Sequence, residues 1–236
     1  MKHVFERIEK RKRDVERHVV FSIFSELESI GLPQVENMLD IWAPLLIHLS
    51  MTFRDINNMY YMYSSPEDEF QEAINAHVSV DSEHWRMMIE DIKTLGVNGR
   101  AFDCESAIDI IWSDLGIPVR KYMYSLMYRA RRCGECPFLK ISAIESAEVT
   151  SKVFFGISMR LAGLYERHYN KSLYYLGEAH INNEIEHSID LSLFSSQSIS
   201  IEKMAVAYDI VDDHFDSFIN FLNFKHEINM AVLEKK

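Results

Sequence analysis

Apolar residues recur at three- and four-residue spacing through nearly the whole of this 236-residue chain, and only 8 glycines and 5 prolines interrupt them. That period marks helices with one buried face, and no stretch alternates long enough to read as a strand. Sandwiches and barrels need a turn roughly every 8–12 residues, which a chain so poor in turn formers does not supply. The expected fold is all-α, a single helical domain over residues 1–236, with 47% apolar residues to fill one core.

The breaks place the helices. Gly31-Leu32-Pro33 ends a first helix from about His3 to Ile30, and its basic run Lys10 to Arg13, balanced by Glu6, Glu9, Asp14 and Glu16, reads as a solvated face. A second helix covers about Gln34 to Tyr63. Ser65 is the expected N-cap of a third over 66–95, with Glu67, Asp68 and Glu69 at the positive end of its dipole. Shorter helices follow at about 105–115 and 118–132, then long ones at about 138–168, 171–193 and 201–233.

Charge and cysteine content exclude several classes of function. Lys plus Arg is 25 against 36 for Asp plus Glu, a net charge of −11 that repels a phosphate backbone, so no nucleic-acid partner is expected. The longest uncharged run, Ile41 to Phe53, falls far short of the roughly 20 apolar residues of a membrane crossing. The opening residues also lack a signal-peptide core, so no membrane insertion and a cytoplasmic location are expected. Three cysteines cannot pair evenly. Cys133-Gly134-Glu135-Cys136 has no second pair to complete a zinc site and no βαβ setting for redox work, and reads as an interhelical turn ending at Pro137.

Chemistry concentrates in two segments with one pattern, His77-x3-Asp81-x2-His84 and His180-x3-Glu184-x2-His187. On a helix, offsets of 0, 4 and 7 form a narrow stripe, so each triplet points into one space. Composition alone yields roughly 0.06 such matches per chain, which makes two of them a signal. Apolar neighbours, including Val78, Val80, Met88 and Ile89 in the first segment and Tyr175, Ile181 and Ile185 in the second, indicate burial, and buried imidazoles and carboxylates need a compensating cation. The nitrogen and oxygen donors suit iron, manganese or zinc. A two-metal site needs a further carboxylate. Glu145 and Glu148 are the candidates, with Glu148 preferred because Ala147, Thr150 and Ser151 beside it are small. Trp85, Phe154, Phe155, Tyr174 and Tyr175 are candidates for lining a substrate pocket.

These residues resemble those of the heme-oxygenase-like di-metal oxidases and oxygenases, helical proteins related in fold to thiaminase II. The matching features are Asp81 and His84 on an early helix, a lone Glu148 on a middle one, and His180, Glu184 and His187 on a late one, over about residues 66 to 193. The resemblance implies a heme-oxygenase-like bundle and two iron ions, with manganese as an alternative. It implies dioxygen and a small organic substrate of amine, amino acid or fatty acid type as partners, with a homodimer as a further option. Two features depart from the pattern: the early acid is Asp where many members carry Glu, and His77 is an extra imidazole, read as a supporting group or a seventh ligand. Thiaminase II chemistry needs a nucleophilic cysteine beside the motifs, where none stands. A heme ligand such as His18 leaves both triplets unexplained, and a ferritin-like bundle does not account for His180. The competing class is a non-enzymatic metal-binding or ligand-binding helical protein.

Overall fold

The computed structural model describes residues 1–22, 31–96, 104–186 and 188–234, and among them there is no strand. Ten helices follow in chain order among the described residues: α1 Lys2–Glu16, α2 Leu32–Ile56, α3 Glu69–Asp81, α4 Trp85–Leu95, α5 Cys104–Trp112, α6 Ile117–Cys133, α7 Pro137–Tyr169, α8 Glu178–Glu186, α9 Ser192–Ser195 and α10 Ile201–Glu234. None of them is long and apolar enough to cross a membrane.

The two longest helices, α7 and α10, pack on each other and on α1 and α6, while α2, α3 and α8 lie against α7. Trp42, Leu45 and Leu46 of α2, Leu161 of α7 and Phe215 and Phe221 of α10 are buried in the core between them. The basic run of α1 is only partly solvated. Arg7 grips Asp212 through two nitrogens and Arg11 pairs with Asp216, so α1 is docked on α10 by charge as well as by Val4 and Ile8.

Three expected helices are shorter than the periodicity suggests. The first ends at Glu16, where His18 takes an extended backbone and its Nδ1 accepts the Val20 N–H at 3.1 Å; residues 23–30 lie outside the described residues. The third begins one turn late, because Asp68 rather than Ser65 accepts the Gln71 N–H at 2.8 Å. It also breaks at Ser82–His84, so that α3 and α4 are separate. The last is reduced to α8, and residues 171–177 before it are irregular. Gly177 permits that irregular approach, since a Cβ there would fall 2.0 Å from the Leu173 carbonyl oxygen.

The other helices fall close to their expected bounds. The second helix continues through Pro44 and ends in a π-helical turn, Asn57–Tyr61. The Cys133–Cys136 segment is the turn between α6 and α7. Both thiols are free, and burial pushes that of Cys133 up to about 12.

Candidate metal centre

The break after α3 shapes the early half of the site. Asp81 closes the helix and its carbonyl accepts the His84 N–H at 3.2 Å, so His84 turns in at the start of α4 instead of continuing the α3 stripe. Val80 and Ile89 are left exposed, as is Ile185 on α8, so the two motifs are buried on one face only. Asn57, in the π-helical turn, donates to the second Asp81 oxygen and fixes that carboxylate. Glu148 comes from the middle of α7 and is buried.

The late half depends on Asp91 of α4, which is fully buried and accepts the N–H groups of Tyr174 and of Leu176, the latter at 2.8 Å. These bonds shape residues 173–177 and set the Tyr175 carbonyl 3.0 Å from His180 Nδ1. A carbonyl only accepts, so Nδ1 carries a proton and Nε2 is the nitrogen that faces the site. The Tyr175 ring stacks on the His180 ring and Phe155 meets that ring edge-on, with centroids 4.7 and 4.1 Å away, and the two aromatics touch each other at 5.1 Å.

Two groups of three potential ligands result, His84 with His180 and Glu184, and His77 with Asp81 and Glu148, the donor atoms of each group lying within 4.8 Å of one another. His84 Nδ1 is 3.0 Å from Asp81 and 3.2 Å from Glu184, which joins the groups; His180 Nε2 is 3.0 Å from Glu184, and His77 Nε2 is 3.5 Å from Glu148. A cavity of about 30 Å³ lies among them, lined also by Leu49, Phe53 and Phe155. That volume holds ions or waters and is far below the size of an organic ligand pocket.

Three carboxylates and three imidazoles in so little space must manage their charge. Burial opposes the charge on His84, yet its bonds to Asp81 and Glu184 outweigh it and raise its pKa to about 10. Burial likewise opposes ionisation of Glu184, but bonds from His180 and His84 hold it far below the usual carboxylate range. Burial pushes Glu148 up to about 8, against the pull of His77 and with the help of the Glu184 and Asp81 charges. In the metal-free cluster, protons on His84 and Glu148 stand where a cation's charge is called for. Three carboxylates would offset most of the four charges of two divalent ions, so the donor set fits such a pair.

The chain matches no family model, and no curated protein matches it in sequence.

Of the residues singled out in the sequence, Asp81, His84, Glu148, His180 and Glu184 meet at this cavity and His77 joins them, while His187 lies outside the described residues. Glu145 is half-buried and belongs to neither ligand group. Of the five expected pocket aromatics, Phe155 and Tyr175 line the cavity. Trp85 instead faces the Arg54 and Arg86 guanidinium groups, Phe154 stacks on Trp42 in the core, and Tyr174 is exposed. Asn57 and Asp91 are the residues that sequence reading misses. For Asp91 the signal was an acid at a core-facing position of an amphipathic helix.

Proposed function

We propose that this chain is a heme-oxygenase-like di-metal oxidase or oxygenase that holds two iron ions, with manganese as the alternative, and uses dioxygen to oxidise a small organic substrate of amine, amino acid or fatty acid type. The observation that carries the reading is the pair of joined, buried three-ligand groups, each mixing imidazole and carboxylate. Bound iron supplies the redox chemistry that activates dioxygen. The chain's own residues position and protect. Asp91, through residues 173–177, aims His180; Asn57 fixes Asp81; Leu49, Phe53 and Phe155 keep bulk water out. His84 and Glu148 hold protons that leave when cations enter.

The test is anaerobic loading with ferrous iron, metal analysis, and oxygen uptake with and without amines, amino acids and fatty acids. Two equivalents of iron and substrate-dependent uptake are expected. The small cavity favours a second reading, a non-enzymatic metal-binding protein, for which uptake would stop at oxidation of the iron itself whatever compound is added. Failure to bind iron or manganese refutes both.

A further inference from the structure

Lys225, in the middle of α10, is fully buried, and its Nζ has no hydrogen-bond partner among the described residues. Four residues on, Asn229 is also fully buried, and its Nδ2 is likewise without a partner. Both side chains converge on Trp42, whose Nε1 donates to Asn229 Oδ1 at 3.2 Å and whose ring lies 4.6 Å from Lys225 Nζ. The other lysine buried among the described residues differs: Lys140 donates to the Tyr61 carbonyl at 3.2 Å and has Glu135 at 3.5 Å. Two orphaned buried donors, one of them cationic, call for an acceptor that bears a negative charge.

Phe221 links them to a cleft. A cleft of about 380 Å³ runs between α6 and α10, with Tyr122, Ser217 and Phe221 in its lining and Lys121 as its cation. Ser217, Phe221, Lys225 and Asn229 follow at four-residue steps along one stripe of α10, and the ring of Phe221, which lines the cleft, lies 5.5 Å from Lys225 Nζ. Tyr122 and Phe221, both in the cleft lining, stack on each other with centroids 5.3 Å apart, so the cleft ends on an aromatic pair.

We propose that Lys225 and Asn229 form the recognition end of a binding site for a small organic monocarboxylate, which enters through the α6–α10 cleft, displaces the Phe221 ring and rests its apolar body against Tyr122. One ammonium and one amide balance a single negative charge, and a dianion such as sulfate would be left half-compensated beside aromatic walls. Burial, with no carboxylate among the described residues to oppose it, pushes the Lys225 pKa down to about 7, in keeping with a cation that lacks its counter-charge.

The site is independent of the metal centre, so the test uses metal-free full-length protein and calorimetric titration with hydrocinnamate, the corresponding alcohol, and sulfate. Hydrocinnamate is expected to bind one to one, with the alcohol roughly tenfold or more weaker. Lys225→Met, checked for helix content, should abolish that preference, and Asn229→Ala should weaken acid binding alone. If Lys225→Met fails to fold, Asn229→Ala and the acid–alcohol comparison on the parent decide. Equal affinity for acid and alcohol, unchanged acid binding in the variants, sulfate binding as well as the acid, or no acid binding at millimolar concentration would each overturn the proposal.

Discussion

Replacing Asp91 separates its two roles. In Asp91→Ala the N–H groups of Tyr174 and Leu176 lose their acceptor, and each orphaned donor costs about 1–3 kcal/mol, so a loss of about 2–6 kcal/mol is expected in urea unfolding with unchanged m. The amide of Asp91→Asn keeps an acceptor for the loop but cannot ionise. Burial pushes the Asp91 carboxyl from 3.8 up to about 6, with the backbone N–H bonds opposing. Between those values the folded protein holds a proton that the unfolded chain has released. This contribution is therefore fully present below pH 3.8 and is lost as pH rises through about 6. The swing is at most about 3 kcal/mol, and it should appear as the difference between parent and Asp91→Asn measured at pH 4 and pH 7. Asp91→Ala should also weaken metal binding about 10–100-fold, because His180 loses its aim. An Asp91→Ala protein within about 0.5 kcal/mol of the parent, or an Asp91→Asn protein that follows the parent across pH, would refute the account.

Further outcomes follow from the same structure. Glu148→Gln should lower iron or manganese content, while Glu145→Gln should leave it near the parent's, as read by metal analysis. Gly177→Ala should destabilise by several kcal/mol, since its Cβ would meet the Leu173 carbonyl, whereas Gly156→Ala, with open space around it inside α7, should gain up to about 1 kcal/mol; thermal unfolding compares them. The Lys225 ammonium, depressed to about 7 against 10.5 in the unfolded chain, makes the parent's stability rise with pH between those values. Lys225→Met should lack that rise in denaturant titrations.

Much of the helical layout was legible because period and punctuation agree along α2, α6, α7 and α10. It failed at three places for local reasons. His18 caps its own turn with a ring nitrogen, Asp68 outcompetes Ser65 as a cap, and residues 171–177 are held out of a helix by a carboxylate 83 residues away in sequence from Tyr174, a contact that no window of sequence contains. At the candidate site the ligand types were legible from spacing, but their grouping was not. The stripe expected over residues 77–84 assumed one continuous helix, and the break after Asp81 gives Asp81 and His77 to one group and His84 to the other. Among the aromatics, Tyr174 and Tyr175 are neighbours in the chain, and only the irregular backbone decides that Tyr175 points inward.

The nine-residue helix α8 has a consequence for how the molecule breathes. A helix shorter than about 12–15 residues does not persist alone in water, and α8 leans chiefly on α7, behind a loop pinned by one buried carboxylate. Its amide protons should therefore exchange with solvent through small local openings, while those of α7 and α10 wait for far larger ones. Whatever ties His180 and Glu184 to His84 across the cavity closes that opening. The exchange rate of α8 then becomes a gauge of occupancy that can be read without any turnover.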